Sequence, residues 1–442
     1  MTFKYLRNLK HTLEKYGVIL SLNNYKIDIR VNAFRNNNLL KIRPLIYYIL
    51  NTYDRLCIIN IEGIPYCLLP SAEDHIIYNS LPHKRYVKRK ECRDCKFTLT
   101  CPGLPNTNFF KKLNIKPVKD IPKQVAIEIT KKCNLNCIIC SQKDRKPISS
   151  PLSRIKNIID EAYLLGIREI RFTGGEPLLE NTKLISSIKY AKHKGFYILL
   201  NTNAVLLNKN IITEIENYID NILISLHGFN SHTNSYITRR NDFRKKIEAV
   251  LMLQKSKIPI LRIGTVITKN LLNNLHKYYI LLKKLNIKIW ELYRPMVPQK
   301  LLSVYRTLNI SSQEMYTLIR FIYYVRRKNI TAWIGNPLPF CSIKNKESLQ
   351  KISLGARYDD GHSRIVWDAK GYFKPSYFIN INLGNSIQQA WNHPFIRKIN
   401  SLEYLSPFCQ DCKLLRWCLG GSRYWAYQYT GDFFGQDPWM KK

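Results

Sequence analysis

Residues 125–140 read VAIEITKKCNLNCIIC and decide the fold of this 442-residue chain. The stretch opens with an apolar run typical of a buried β-strand and closes with Cys133, Cys137 and Cys140 in a CxxxCxxC spacing. Further apolar strands alternate with amphipathic helical stretches downstream, the pattern of successive βα units around a parallel sheet. We therefore expect the three thiols at the carboxyl end of the first strand, the face on which barrel-like α/β folds build their active sites.

The core is predicted to contain six strands, too few to close an eight-stranded barrel. They cover residues 125–130, 168–173, 196–201, 221–226, 260–267 and 287–292. The predicted fold class is therefore α/β, with a partial (β/α)6 TIM-type barrel core at residues 119–310. An N-terminal α+β module that carries cysteines is predicted at residues 1–118, and a loop-rich C-terminal domain at residues 311–442.

The composition excludes several classes of protein. Hydrophobic residues make up 45% and charged residues 23%, which excludes wholesale disorder and a collagen-like chain. Lys and Arg number 70 against 31 Asp and Glu, a net charge of +39 that would attract nucleic acid or an anionic membrane. This charge is spread along the chain without a tail or stripe, so it indicates compositional bias. Without an export signal or a long apolar run, we expect a cytoplasmic protein with neither membrane nor nucleic acid as partner.

Nine of the twelve cysteines form three tight triplets. A chain without an export signal meets a reducing compartment, where clustered thiols are metal ligands more often than disulfides. The three thiolates of the central triplet are one too few for a closed tetrahedral zinc site. They would also leave one iron of a four-iron cubane without a protein ligand, and that iron could bind a substrate.

The sequence Thr173-Gly174-Gly175-Glu176-Pro177 follows the second predicted strand. Together with CxxxCxxC after the first strand, it resembles the radical S-adenosylmethionine (SAM) enzymes. The resemblance implies a 4Fe-4S cluster on the central thiolates, with SAM bound at its open iron. It also implies reductive cleavage of SAM to abstract hydrogen from a substrate C–H bond, and a low-potential electron donor of the ferredoxin or flavodoxin type.

The resemblance further implies which residues contact SAM. Gly174 and Gly175 would let the backbone approach it, and Glu176 would accept a hydrogen bond from its ammonium group. Asn203, at the end of the third strand, and Ser225, at the end of the fourth, resemble positions of the family that contact the ribose or the carboxylate of SAM, and Ser225 is expected to contact the ribose. No side chain of this chain is assigned a catalytic role.

Three more residues lie near strand ends and have open roles. Arg262 on the fifth strand or Arg294 after the sixth could pair with the SAM carboxylate, since a guanidinium binds carboxylates bidentately. His227 stands where related enzymes often have Asp, and a strand-end histidine is more typical of a structural role.

The C-terminal triplet resembles the SPASM extension, an auxiliary-cluster domain of radical SAM enzymes that often modify peptides. Its thiols are Cys409, Cys412 and Cys418. The family pattern has cysteine at three positions that this chain fills with Ser376, Ser422 and Met440. Hydroxyl and thioether groups are poor ligands for iron–sulfur clusters, so we expect one auxiliary 4Fe-4S cluster. Cys341 is the candidate for its fourth ligand, and an open or non-cysteine position is the alternative. Zinc on the same four cysteines is the alternative.

The N-terminal triplet repeats the C-terminal spacing. ECRDCKFTLTCPG and FCQDCKLLRWCLG both read CxDCK followed by a third cysteine and a glycine. The N-terminal thiols are Cys92, Cys95 and Cys101, with Cys67 or Cys57 as the fourth. The spacing leaves a 4Fe-4S cluster and zinc both open at this site.

The leading hypothesis is a radical SAM enzyme of the oxidoreductase or peptide-maturase type. Its expected partner is a precursor peptide, a substrate class that the resemblance implies. Some haem-pathway radical SAM enzymes share the C-terminal pattern CxxC…C…GGxR, so a tetrapyrrole substrate is the alternative. A metal-stabilised RNA-binding protein, suggested by the charge and the many aromatic residues, is the alternative from another class. Such a protein has no use for GGEP beside an open three-thiolate site.

Overall fold

The chain divides into two compact units, Met1–Asp120 and Ile121–Lys442. A computed structural model describes residues 4–23, 26–32, 39–53, 58–69, 72, 75–77, 86–97, 101–115, 117–141, 147–297 and 310–441. Cys57, one of the two predicted fourth thiols of the N-terminal site, lies outside these described residues.

The first unit mixes helices and strands. Its strands are Val18–Asn23 (β1), Lys26–Val31 (β2), Ile58–Glu62 (β3), Ile76–Ile77 (β4), Tyr86–Val87 (β5) and Leu104–Pro105 (β6). Its helices are Lys4–Lys15 (α1), Leu39–Tyr53 (α2) and Asn108–Lys112 (α3). β1 runs antiparallel to β2, β2 to β4 are parallel, and β5 pairs with β6 in a separate antiparallel ladder.

The second unit is built on one nine-stranded sheet. Its strands are Gln124–Glu128 (β7), Glu169–Thr173 (β8), Tyr197–Thr202 (β9), Asn221–Ser225 (β10), Ile260–Val266 (β11), Ile289–Tyr293 (β12), Thr331–Ile334 (β13), Arg364–Asp368 (β14) and Tyr372–Lys374 (β15). They lie in the order β13-β12-β11-β10-β9-β8-β7-β14-β15, and all neighbours are parallel except β14 and β15. The central strands are apolar on both faces, as strands covered on both sides must be.

Helices alternate with the parallel strands from β7 to β14, and the last five described helices follow β15. They are Leu152–Leu165 (α4), Asn181–His193 (α5), Lys209–Ile215 (α6), Ser231–Thr238 (α7), Phe243–Leu253 (α8), Lys269–Asn273 (α9), Leu275–Lys284 (α10), Ser312–Arg327 (α11), Lys346–Gln350 (α12), Ile387–Trp391 (α13), Pro394–Ser401 (α14), Pro407–Gln410 (α15), Leu415–Cys418 (α16) and Arg423–Thr430 (α17). The sequence of α4 shows why this segment is helical. Its buried residues repeat at helical spacing; they are Ile155, Ile158, Ile159 and Ala162. Gly166, with a φ of +83°, ends the helix. Among the described residues, no helix is long and apolar enough to cross a membrane.

The partial barrel predicted from the sequence is confirmed, and every predicted strand is present within two residues of its expected bounds. Three strands were not predicted. β13 extends the sheet at one edge, and β14 pairs in parallel with β7 at the other. Because residues on both sides of position 310 share this sheet, the second unit stays whole where the sequence predicted a domain boundary.

Four charged side chains fasten β14 and β15 to the end of β7. Lys374 Nζ lies 2.8 Å from Glu128 and 3.0 Å from Asp368, and Lys131 Nζ lies 2.7 Å from Asp368 and 3.3 Å from Glu128. Burial alone would lower the pKa of Lys374, but the carboxylates of Glu128 and Asp368 outweigh burial and raise it. Two cations thus neutralise two anions in a buried group directly before the first cysteine of the central triplet.

We expect Lys374→Ala to lower the free energy of unfolding by about 3–5 kcal/mol, because it leaves two buried carboxylates with one cation. The matched control is Arg244→Ala, which removes an exposed ion pair between Arg244 and Glu248. The side chain of Arg244 is 92% exposed and that of Glu248 is 53% exposed. That variant should lose less than about 1 kcal/mol. Urea unfolding of both variants measures the difference, and equal losses would contradict a stabilising role for the buried group.

Candidate active site

The central thiols lie on the loop that follows β7. Cys133, Cys137 and Cys140 are all half-buried. Backbone hydrogen bonds fix the loop against the end of α7, from Asn136 N to Thr238 O (3.2 Å) and from Ile138 N to Ile237 O (2.9 Å). The loop is therefore held at the carboxyl end of the parallel sheet, where the sequence placed it.

The GGE segment after β8 packs directly on the thiol loop. Gly175 N donates to Thr130 O and Glu176 N donates to Lys132 O, each at 2.7 Å. A Cβ on Gly174, whose φ is +148°, would lie 2.3 Å from Thr130 O, and one on Gly175 would lie 2.1 Å from Lys132 O. The glycines were expected to allow close approach to a ligand. In the structure they allow close approach to the chain's own thiol loop.

Glu176 is fully buried and organises the end of β9. Its carboxylate accepts hydrogen bonds from the Thr202 hydroxyl (2.7 Å), from Asn203 N (2.7 Å) and from Leu178 N (3.1 Å). Burial raises its pKa, although these three donors act in the opposite direction. The structure thus ties this carboxylate to neighbouring strand ends, and a contact with the SAM ammonium remains a prediction.

Asn203, one of the predicted cofactor residues, lies beside the thiol loop. Its Nδ2 donates to Asn134 Oδ1 at 2.7 Å and lies 4.0 Å from Cys133 Sγ. Asn134 was not singled out in the sequence, although its place between two cysteines of the triplet marks it. These contacts join the third strand end to the thiol loop.

The end of β10 carries Ser225, which is half-buried, and His227. Buried Lys246 donates to Ser225 O at 3.1 Å and pairs with Asp242 at 2.8 Å. Burial, and then the charge of Lys246, lowers the pKa of His227 to about 3. His227 is therefore neutral at physiological pH, and its carbonyl accepts from the Tyr278 hydroxyl at 2.8 Å. These contacts fit the structural role expected of it.

The two arginines considered for the SAM carboxylate both have carboxylate partners within the chain. Arg262 is buried in the barrel, pairs with Glu291, and donates at 2.7 Å to Asn221, the first residue of β10. Its guanidinium is thus held between Asn221 of β10 and Glu291 of β12. Arg294 binds Asp437 through two hydrogen bonds of 2.8 and 3.1 Å. Both guanidiniums thus have carboxylate partners within the chain, and a contact with the SAM carboxylate stays a prediction.

The C-terminal part of the second unit contains the thiols that are expected to form one auxiliary site. Burial, and the thiol of Cys341 nearby, raise the pKa of Cys418 to about 11. Burial also raises the pKa of Cys341, and the neighbouring Cys409 raises it further. Cys412 follows within one turn, with its N–H donating to Cys409 O at 3.1 Å. The predicted fourth thiol, Cys341, thus lies beside the triplet despite its distance along the chain.

The positions that depart from the SPASM pattern have local structural roles. Ser376 Oγ accepts from the backbone of Phe378 at 3.2 Å, and Ser422 Oγ caps α17 by accepting from Trp425 N at 3.3 Å. Met440 N donates to Asp437 O at 2.9 Å. Both hydroxyls thus cap turns of the chain.

In the first unit, four thiols line one cavity. They belong to Cys67, Cys92, Cys95 and Cys101. Burial, and then the thiols at positions 101, 92 and 95, raise the pKa of Cys67 to about 12. Cys67, one of the two fourth thiols considered in the sequence, thus lies with the triplet, and Cys57 is outside the described residues.

The chemistry of the three loop thiols fits the cluster that is expected there. Within the described residues, no three His, Cys, Asp or Glu side chains already form a group that could hold a metal ion. Three thiols on one loop nevertheless fit a four-iron cluster with one open iron, since thiolates are the ligands that iron–sulfur clusters use. The glycine backbone and the Asn203 amide beside the loop fit a polar ligand at that opening.

Comparison with known proteins agrees with this site. The radical SAM superfamily model matches residues 127–274, which include the thiol loop, the GGE segment and the ends of β9 and β10. The chain contains a radical SAM domain at residues 127–274. This family match favours the enzyme over the RNA-binding alternative.

Relatives of this radical SAM protein act on different substrates. The AdoMet-dependent heme synthase of Methanosarcina barkeri is 22% identical over 340 residues, covering 72% of this chain and 96% of that protein. The GTP 3′,8-cyclase of Clostridium botulinum is 27% identical over 303 residues, covering 64% and 89%. The names of these relatives therefore do not agree on one substrate class.

The solved structure of Streptococcus suis SuiB with S-adenosylmethionine has a TM-score of 0.60 to this fold at 16% identity. The match covers 73% of this chain and 78% of SuiB, so it reaches well beyond the region of the family model. SuiB bound to precursor peptide SuiA matches with a TM-score of 0.58 at 16% identity, covering 72% of this chain and 75% of SuiB. At this level of identity the likeness shows a shared fold.

We expect Gly175→Ala to lose most of the iron bound by the thiol loop and to weaken SAM binding. Its Cβ would collide with backbone oxygens of Lys132 (2.1 Å) and Lys131 (2.6 Å), which cannot move without shifting Cys133. Gly195→Ala is the control, because its φ is +85° but an added Cβ meets nothing within 4 Å. It should lose only about 1–2 kcal/mol of stability. Iron analysis measures the bound iron, and calorimetric titration measures the affinity for SAM. If Gly175→Ala kept the iron content and SAM affinity of the parent protein, the argument would be wrong.

Proposed function

We propose that this radical SAM enzyme abstracts a hydrogen atom from a peptide or peptide-derived substrate. One observation carries the proposed chemistry: three thiols on a single loop, fastened by the GGE backbone at the carboxyl end of a parallel sheet. That arrangement leaves a four-iron cluster one position short of closed coordination. A low-potential ferredoxin- or flavodoxin-type protein is the proposed electron donor.

The residues that would hold the cofactors are those around the loop. Cys133, Cys137 and Cys140 would ligate the cluster, and the backbone at Gly174 and Gly175 would face SAM. When bound, the reduced cluster and SAM together supply the oxidant that removes a hydrogen atom from a C–H bond. The chain itself positions these groups and excludes water from them.

Asn203 has a proposed role in tuning the cluster. Its amide Nδ2 already lies 4.0 Å from Cys133 Sγ, and Glu176 fixes its backbone N–H at 2.7 Å. Hydrogen bonds to ligating sulfurs influence the reduction potential of iron–sulfur clusters. The buried carboxylate would therefore act on the cluster through Asn203, as a positioning group.

A second, closed centre is proposed in the C-terminal region. Cys409, Cys412 and Cys418 with Cys341 would give four thiolates to one auxiliary 4Fe-4S cluster. Ser376, Ser422 and Met440 offer no thiolate for another. This SPASM-like composition supports a peptide substrate, as does the likeness of fold to SuiB, which was solved with its precursor peptide.

A tetrapyrrole is the second candidate substrate. Of the two relatives compared above, the one that matches the larger share of this chain is named a heme synthase. The match covers 96% of that heme synthase. If the substrate is a tetrapyrrole, adding a porphyrin to the protein should shift the visible absorbance of the porphyrin. If the substrate is a peptide, the porphyrin should not bind and its spectrum should stay unchanged. A short open reading frame beside the gene, encoding a precursor peptide, would favour the first candidate.

We expect the triple variant Cys133/Cys137/Cys140→Ala to form no 5′-deoxyadenosine from SAM with dithionite after anaerobic reconstitution. It should lose about four of the irons that the parent protein binds. Chromatography of the nucleoside products measures SAM cleavage directly. Cleavage at the parent rate in this variant would show that the proposed chemistry does not occur at these thiols.

We expect Cys409/Cys412/Cys418→Ala to lose about four irons while the core triplet keeps its own cluster. Cys341→Ala should alter the Mössbauer spectrum of the auxiliary cluster, because it replaces the fourth thiolate. An unchanged iron content in the first variant would disprove the C-terminal cluster. An unaltered spectrum in the second would show that Cys341 is not a ligand.

A further inference from the structure

The four-thiol cavity of the first unit is not needed for SAM cleavage at the central thiols. Its lining includes the thiols of Cys67, Cys92, Cys95 and Cys101 together with the apolar side chains of Phe97, Leu104 and Ile115. Tyr66, next to Cys67, stacks on Phe97 with ring centroids 4.0 Å apart. This contact packs the segment of the fourth thiol against the loop of the triplet. The cavity thus gathers four soft donors, and its lining also includes the charged residues Lys88 and Glu91.

The triplets of the two units fold with the same backbone hydrogen bonds. The first cysteine donates to the residue three before it, from Cys92 to Arg89 (3.0 Å) and from Cys409 to Ser406 (2.8 Å). The second donates to the first, from Cys95 at 3.3 Å and from Cys412 at 3.1 Å. The shared CxDCK spacing therefore corresponds to a shared local structure.

The third cysteine continues the correspondence. Cys101 N donates to Phe97 O (2.8 Å) and Cys418 N to Leu414 O (3.0 Å), in both cases four residues back. Two residues later each chain segment has a glycine with positive φ, +101° at Gly103 and +75° at Gly420. Each glycine N–H donates to the sulfur of its cysteine.

The fourth thiol lies in the same kind of turn at both sites, although it is 25 residues before one triplet and 68 before the other. Cys67 is the middle residue of a 3-10 turn, Tyr66–Leu68, that begins after Pro65. Cys341 is the middle residue of another, Phe340–Ser342, that begins after Pro339. Both turns are closed by a hydrogen bond to the proline carbonyl, of 3.0 and 3.1 Å.

We propose that the first unit holds its own 4Fe-4S cluster, closed by Cys67, Cys92, Cys95 and Cys101, in a site that repeats the auxiliary site of the second unit. The choice of iron–sulfur over zinc rests on the proposed C-terminal cluster, because the shared local structure extends that assignment to the first unit. All four positions are filled by thiolates, so this cluster would bind no substrate and would serve in electron transfer or stability.

The test uses the full-length protein after anaerobic reconstitution. The parent should contain about twelve irons per chain, in three four-iron clusters, and no stoichiometric zinc. Cys67→Ser should lose about four irons, roughly a third of the total, because a hydroxyl is a poor ligand for iron–sulfur clusters. Cys57→Ser is the matched control and should keep all of its iron.

Each outcome of this experiment either supports or overturns a 4Fe-4S cluster in the first unit. A parent with about eight irons and one zinc that Cys67→Ser releases would overturn the proposal in favour of a zinc site, while the core chemistry stands. Equal metal content in parent and Cys67→Ser would overturn it outright. Loss of iron from Cys57→Ser instead of Cys67→Ser would assign the fourth ligand to Cys57. The parent count and its Mössbauer spectrum need no variant, so a misfolded variant cannot decide the result.

Discussion

Two backbone hydrogen bonds support the central site, from Gly175 N to Thr130 O and from Glu176 N to Lys132 O, each at 2.7 Å. Each contributes only about 0.5–1.5 kcal/mol of net stability. Their importance is geometric, because they join the ends of two neighbouring strands at the residues just before Cys133. Glycine is required there because any Cβ would enter the space that the thiol loop occupies.

The other face of the same loop is held by charge. Lys131, between the two hydrogen-bonded carbonyls, pairs with Asp368 of β14 at 2.7 Å. Lys374 of β15 completes the group with Glu128 at 2.8 Å. Burying four charges costs desolvation, and mutual pairing offsets it only while all four are present. The thiol loop is thus clamped between a backbone contact from β8 and an ionic contact from the C-terminal region.

Local patterns in the sequence predicted the core strands and the thiol loop, since apolar periodicity and motif spacing are properties of short segments. They could not predict that β14 lies beside β7, because pairing between distant strands leaves no mark in either strand alone. The partners of Arg262 were hidden for the same reason: Glu291 lies on another strand. Placing Cys67 beside Cys92, Cys95 and Cys101 likewise required the fold, because Cys67 lies well upstream of that triplet.

The pairing of β7 with β14 has a consequence for synthesis of the chain. Gln124 leaves the ribosome about 240 residues before its partner Arg364, which at 5–20 residues per second is a delay of about 10–50 s. During that interval the strand that carries the thiol loop exposes an unpaired apolar edge, a template for aggregation. Lys131 and Glu128 also lack Lys374 and Asp368 until then. Insertion of iron into the finished loop is therefore expected to be post-translational, after nearly the whole chain has emerged.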